Sequence, residues 1–412
     1  MKITIGSPDG LGDFILRMPL IEALLSAGHK LQLAMRPPAA DLARDLFPET
    51  DVLALERDPF HTETKKQKQP FHNELARIRR FGPELYVAST FQLNFFDEVF
   101  LRECGGQIRS AGFVAEEDFW PSDTASDPRE VVEKFSIRVC VPTAMPEGEK
   151  NLRLAQALNA PNPASRMARR PSSRAVEEAR ELLQKHGLPE CAFTVVCAGS
   201  RPGLAMKDWG EANWMRLMRE IGTDAGRPFV FLGNPKEATS VARLCEALGP
   251  GARAINLADN PPPVAVSHAL TSMASAYLGR DSGIMHLAAV AGIPMVAVFA
   301  GGHWPRFVPN AKRGVVLTRK APCRGCNFYC PFPEPWCVKT VPVEVVAEAW
   351  RDLPTTNSLR VVELDADEQW LSMAAELDVP SYAREQAAAA REAISELENE
   401  SLWRRLVTGL VS

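Results

Sequence analysis

Arg280-Asp281-Ser282-Gly283-Ile284-Met285-His286-Leu287-Ala288-Ala289-Val290-Ala291-Gly292 stands between two short apolar runs, 274–279 and 294–299. The succession reads as strand, tight turn, helix, strand. Ser282 suits the N-cap of that helix and Gly292 its stop. A helix starting there turns unpaired N–H groups and the positive end of its dipole toward whatever lies above the strand. That makes an anion site, best suited to phosphate. His286 lies about one turn into the helix and leans back toward the same end. Asp281 stands beside the anion site and can accept sugar hydroxyls. The plainer alternative is an ordinary strand–helix–strand connection with incidental polar residues.

The same pattern opens the chain. Lys2–Gly6 alternates as a strand, a turn follows through Ser7-Pro8-Asp9-Gly10-Leu11-Gly12-Asp13, and a helical pattern runs from Phe14 toward Gly28. Lys30–Met35 is the next strand, so the chain begins as a doubly wound α/β domain. The first turn is neither G-x-G-x-x-G nor a P-loop, which argues against dinucleotide and P-loop chemistry. It places one carboxylate, Asp13, at the carboxyl end of the first strand, where open α/β sheets bind their ligands. Capping of the helix explains Asp13 equally well.

Further strands are expected at 52–55, 85–89 and 107–113. Between the first two runs a long basic segment, 60–72, of a length often functional in compact domains. Lys65, Lys66 and Lys68 in that segment, with Arg109, are candidates for contact with an acidic acceptor; the alternative is a solvated loop. Residues 115–150 have weak periodicity, and 155–173 read as a linker.

A second α/β domain follows. A helix over 173–186 leads into the β-branched strand Phe193–Cys197 and then a loop from Ala198 to Trp209, whose Ser200, Arg201 and Lys207 suit a diphosphate. After the strand Pro228–Gly233, Glu237 is placed to hold ribose hydroxyls or to complement a helix dipole.

With 412 residues the chain has room for two or three domains. A net charge of −4 gives no argument for nucleic acid, and no apolar run reaches the ~18 residues of a membrane span. The amino end lacks a signal-peptide core, so a cytoplasmic protein is expected. Nine cysteines in that compartment are better read as thiols or metal ligands than as disulfides.

Together these marks resemble glycosyltransferase family 9, the ADP-heptose:lipopolysaccharide heptosyltransferases, over about residues 1 to 350. They are Gly12-Asp13, Ser200, Lys207-Asp208-Trp209 with Trp214, Gly233 with Glu237, and Asp281-Ser282-Gly283 followed by His286-Leu287-Ala288-Ala289. The last is the most specific. The resemblance implies a GT-B fold of two Rossmann-like, doubly wound domains facing a cleft. The domains would span 1–165 for the acceptor and 172–352 for the nucleotide sugar, with a helical extension over 355–412.

It implies an inverting transfer of heptose or a related sugar from an ADP-sugar to a surface glycan or a protein, with no catalytic cofactor. Asp13 would be the general base. Ser200 and Lys207, with the Ser282 and Gly283 amides, would hold the diphosphate. Asp281 would contact the sugar, Glu237 the ribose, and His286 the phosphate side of the turn. Two departures stand out: the first turn is Ser-Pro-Asp-Gly-Leu-Gly-Asp, and the loop before Lys207 lacks a second hydroxyl. A non-catalytic nucleotide-sugar-binding scaffold, or an epimerase or hydrolase on the same fold, is the alternative.

Cys323, Cys326, Cys330 and Cys337 pack four thiols into a short, Pro-rich loop (323–337). They are candidates for a structural zinc or iron, or for reduced thiols packing the loop. In the tail, Leu402, Trp403, Leu406, Val407 and Leu410 share one helical face with Arg404 and Arg405 beside it. That face is read as packing onto the body, or alternatively as self-association or contact with an anionic membrane surface.

Overall fold

The computed structural model describes residues 1–60, 64, 66, 70–116, 122–161, 170–200, 205–222, 227–321, 323–326, 330, 332, 334–366, 368, 370 and 372. The chain divides between Arg166 and Met167 into two units.

The first unit runs β1 (Lys2–Ser7), α1 (Leu11–Ser26), β2 (Lys30–Met35), α2 (Pro37–Leu46) and β3 (Asp51–Ala54). It continues through α3 (His72–Phe81), β4 (Leu85–Ala88), β5 (Leu93–Asn94), α4 (Phe95–Cys104) and β6 (Arg109–Ala115). The short β7 (Ser122–Asp123), α5 (Pro128–Glu133), β8 (Ile137–Val141) and α6 (Glu147–Ala157) complete it. The segment 115–150, whose periodicity is weak, thus holds regular elements. They are too short to show a period.

Six strands form one parallel sheet in the order β3-β2-β1-β4-β6-β8. Residues 2–6 of β1 pair with 30–34 of β2, and Ile3–Gly6 with Leu85–Ala88 of β4. The inner strands are apolar on both faces, as a sheet covered by helices requires; β1 buries every residue after Lys2. The chain turns left from β1 to β2 and later right to β4, so a topological switch point lies between the carboxyl ends of β1 and β4.

The second unit repeats the plan. It runs α7 (Ser173–Lys185), β9 (Thr194–Cys197), α8 (Glu211–Gly222), β10 (Phe229–Phe231), α9 (Ala238–Ala247), β11 (Ala254–Asn256) and α10 (Val264–Met273). Then come β12 (Ala276–Arg280), α11 (Gly283–Ala291), β13 (Met295–Val298), β14 (Gly314–Arg319), α12 (Trp336–Lys339), α13 (Val343–Asp352) and β15 (Leu359–Leu364). The sheet is parallel throughout, ordered β11-β10-β9-β12-β13-β14-β15, with its switch point between β9 and β12. Val196, Phe231, Leu278 and Val298 of the strands pack with Trp214, Leu217, Val241 and Val346 of α8, α9 and α13. On the other face α7, α10 and α11 pack together.

Two expectations about the tail change. A helical extension was expected from 355, yet Leu359–Leu364 is a strand in full register with β14, from Gly314↔Leu359 to Arg319↔Leu364. Trp370 is fully buried against the cysteine loop. The second unit therefore extends well past 352, because the bare edge of β14 and the apolar loop recruit the chain that follows. The amphipathic face 402–410 lies outside the described residues.

Candidate functional site

The opening stretch folds as its residues dictate. β12 ends at Arg280, and Ser282 caps α11 by accepting the Met285 N–H at 3.3 Å. Tyr277 braces the turn, its hydroxyl donating to the Arg280 carbonyl at 2.9 Å and lying 3.2 Å from Ser282 Oγ. Gly292 closes the helix at φ 73°, the left-handed conformation that favours glycine.

The loop after β9 meets this turn at the switch point. Its position is set by a pair of buried indoles. Trp209 and Trp214 stand edge to face with centroids 4.7 Å apart, and Trp209 Nε1 donates to the Val341 carbonyl at 2.8 Å. Asp208, buried between them and the loop, accepts from Ser200 Oγ at 2.5 Å and from the Gly210 N–H at 2.9 Å. Ser200 and Lys207 are thereby fixed on either side of Asp208. Lys207 Nζ lies 2.9 Å from Asp281 Oδ2. Its side chain is 28% exposed while that of Asp281 is 3% exposed, so the ammonium sits at the mouth and the carboxylate at the base. Asp281 Oδ2 has no aligned hydrogen bond. The contact is charge pairing without the geometry of a closed bond.

His286 is 2% exposed behind this pair. Burial lowers its pKa to about 4, with Lys207 adding to the effect and Asp281 opposing it. The imidazole is neutral near pH 7 and adds no positive charge to the turn.

Glu237 sits after β10, as expected, but it is 2% exposed and held by Arg280 at 2.7 Å. Its second oxygen accepts the Asn234 N–H at 3.2 Å, closing a capping box. Burial opposes the charge on Arg280, yet Cys197, Glu237 and Tyr277 hold its pKa above the usual value. This buried pair is a feature the sequence did not announce.

In the first unit, Asp13 is the third residue of α1, and its Oδ2 accepts the Gly10 N–H at 3.1 Å. Around it lies a charged network at the β1–β4 switch point. Arg17 grips Asp9 through two bonds of 2.8 and 2.6 Å and donates to the Ser89 carbonyl; Thr90 adds a bond to Asp9 at 3.0 Å. The charges of Asp13 and Glu147 reach Arg17 as well. Glu147 is paired with the fully buried Lys150, whose ammonium stands 3.5 Å from the Phe91 ring. Of this group only Asp13 was singled out from sequence.

Of the acceptor candidates, Lys66 is exposed and Lys65 and Lys68 lie outside the described residues. Arg109 is a correction. It opens β6 opposite Leu85, the first residue of β4, so it stands at the amino edge of the sheet, whereas Asp13 follows a carboxyl end. Strand direction, invisible in a local reading, separates them.

Cys323, Cys326, Cys330 and Cys337 line one narrow pocket with Phe332, Trp336 and Trp370. Burial and the neighbouring cysteines push the Cys323 thiol up to about 12, and burial raises Cys330 and Cys337. The Gly301 N–H points at Cys337 Sγ, 3.4 Å away. Four sulfurs are a donor set that suits zinc or iron, but among the described residues no three His, Cys, Asp or Glu side chains are gathered as a metal site. In this arrangement the thiols pack an apolar loop. No described helix is long and apolar enough to cross a membrane.

Residues 138–329 match the model of glycosyltransferase family 9 (heptosyltransferase). The solved glycosyl transferase family 9 structure from Veillonella parvula superposes with a TM-score of 0.65 at 14% identity, over 85% of this chain and 96% of that one. ADP-heptose lps heptosyltransferase II of E. coli gives 0.58 at 17% identity, over 86% and 98%. E. coli heptosyltransferase WaaC, solved with ADP-2-deoxy-2-fluoro heptose, gives 0.51 at 14%, over 73% and 89%. No curated protein matches the chain in sequence. With its two parallel α/β sheets and the matched segment reaching from β8 into the cysteine loop, the chain is similar to glycosyltransferase family 9 and has the GT-B-type fold of the heptosyltransferases on which it superposes.

Proposed function

We propose that the chain transfers a heptose, or a closely related sugar, from an ADP-sugar to a surface-glycan or protein acceptor, with inversion at the anomeric carbon and in the cytoplasm. The observation that carries this reading is the Lys207–Asp281 pair at the mouth of the second unit's switch point, beside the amino end of α11. A diphosphate arriving there competes for the ammonium. Lys207 moves its charge from Asp281 to the phosphate, and Asp281 is released to accept hydroxyls of the sugar. Charge that develops on the departing diphosphate then meets a preset cation and a helix amino end, where it is stabilised without reorganisation. Displacement at an anomeric carbon builds oxocarbenium-like charge that a nearby carboxylate favours.

Asp13 is assigned the proton of the acceptor hydroxyl. Its carboxylate is oriented by the Gly10 N–H and lies in the field of Arg17. Ser200 Oγ is assigned to the diphosphate and, in the structure, donates to Asp208. Glu237 is assigned to the far side of the nucleotide pocket, where its pairing with Arg280 makes it a shaping group. His286 supports Asp281 from behind.

Thermal shift with nucleoside diphosphates tests the donor class: ADP should stabilise the protein more than UDP or GDP. Lys207→Ala should weaken ADP binding about tenfold or more, the worth of a charge-assisted contact. Equal response to all three nucleotides, or unchanged affinity in Lys207→Ala, refutes the assignment. A structural zinc or iron at the four cysteines is a separate part of the proposal. Metal analysis of protein purified without added metal, read beside a fourfold Cys→Ser variant, decides it.

A further inference from the structure

A second opening lies at the other edge of the β11–β15 sheet, away from the loops that carry Ser200 and Asp281. Thr194 opens β9, Phe229 opens β10 and Ala276 opens β12, and these residues floor a cleft of about 770 Å³. Trp350, near the end of α13, and Leu353 of the turn that follows also line it. The volume is that of an ordinary small-molecule site, roughly 300–1,000 Å³.

Two cations flank the floor. Arg227 precedes β10 and Arg313 immediately precedes β14, and both line the cleft with exposed side chains. Neither has an acidic partner among the described residues, whereas Arg351, on the same cleft, is tied to Glu220. The sheet order places β9, β12 and β13 between β10 and β14. The two arginines therefore rise about 19 Å apart at the backbone, four strand spacings of ~4.8 Å. Long side chains can close much of that span from both ends.

The floor between them holds an anomaly. Thr194 is 1% exposed, and its Oγ1 has no hydrogen-bond partner. Nearly all buried hydroxyls in folded proteins are bonded, so the floor of the cleft carries a donor with capacity to spare for an acceptor atom. The carboxyl end of α13 directs negative potential at the Trp350 wall. Acidic groups are thereby steered to the two outer arginines and an apolar surface to the indole.

We propose that this cleft binds a small elongated dianion. Its flat apolar body lies against Trp350 and Leu353, an acidic group at each end meets Arg227 and Arg313, and one acceptor atom takes the Thr194 hydroxyl. The site is independent of the nucleotide pocket, since it opens at the amino ends of the strands rather than their carboxyl ends.

Naphthalene-2,6-dicarboxylate is a suitable probe, titrated into the full-length protein at low salt and followed by calorimetry and tryptophan fluorescence. It should bind saturably, one per chain. Naphthalene-2-carboxylate should bind about tenfold more weakly, and R227A, R313A and T194V should each weaken the dicarboxylate by about the same factor. ADP affinity should be unchanged in all three variants, and their unfolding transitions should match the parent, which shows that the fold is intact. The proposal is overturned by absence of saturable binding below about 5 mM, by affinities indifferent to both arginines, or by displacement of the probe with ADP.

Discussion

Replacing Arg280 by methionine should cost the second unit about 3–5 kcal/mol, the usual penalty for leaving one partner of a buried ion pair alone. The magnitude follows from the geometry. The Arg280 and Glu237 side chains are 5% and 2% exposed, with nitrogen and oxygen 2.7 Å apart. At an effective dielectric of about 20 that separation corresponds to a gross attraction of roughly 6 kcal/mol, most of which offsets the loss of hydration. Without the guanidinium, Glu237 keeps the Asn234 N–H on its second oxygen but loses the buried charge that offsets its own. Glu237 cannot swing aside, because a methyl-sized group at Gly199 would already lie 2.8 Å from its Cβ and one at Gly233 2.8 Å from its Oε2. The companion variant R280M/E237M removes both charges and should recover at least about 2 kcal/mol of the loss. Urea unfolding followed by tryptophan emission reads mainly this unit, since six of the eight tryptophans, Trp209, Trp214, Trp304, Trp336, Trp350 and Trp370, belong to it. A cost below about 1 kcal/mol for R280M, or a double variant no better than the single, would refute the claim that the pair is a buried, mutually dependent unit.

Two pH effects of opposite sign are expected, one in each unit. His286, lowered to about 4 by burial, binds fewer protons folded than unfolded. Its contribution to the second unit is complete above the ordinary histidine value and is lost as pH falls from about 6.5 toward 4, on the order of 3 kcal/mol in all. Asp97, raised to about 7 by burial, binds more protons folded. The first unit is favoured below about pH 4 by this group and loses that advantage as pH rises toward 7. Hydrogen exchange at pH 4.5 and 7 should show protection rising with pH in α11 and falling in α4; parallel changes in both would contradict the two shifts. In the reaction, Asp13→Asn should abolish transfer while ADP affinity stays within about twofold. Surviving transfer would move the base elsewhere, with Asp9 excluded by its bonds to Arg17 and Thr90.

What a sequence shows of such a protein depends on how local the physics is. The strand–turn–helix at 276–291 was legible because its cap, its stop and its apolar runs lie within a few residues of one another. Trp209 and Trp214 could be recognised as a motif, but their work, anchoring the Lys207 loop to Val341, is done across 132 positions. Glu237 shows the harder limit. A carboxylate after a strand looks the same whether it faces a ribose or a buried guanidinium 43 residues away. Asp9 and Arg17 were passed over for a related reason: separated by a tight turn and two turns of helix, they share no periodic pattern. Arg109 was misplaced because only the direction of β6 says which rim of the sheet it occupies.

The strand at Leu359–Leu364 has a practical side. It lies beyond residue 329, where the match to the family ends, and beyond the boundary the motifs suggested. A chain cut after 352 would look complete by either measure. It would nonetheless present β14 as a bare six-residue edge, since every residue from Gly314 to Arg319 has its partner in the removed piece. Val315, Val316 and Leu317 on that edge are buried and apolar, the kind of surface that pairs with another copy of itself. Shortened versions of this protein should be prone to aggregate, and the cause would be an unpaired hem rather than a damaged active site.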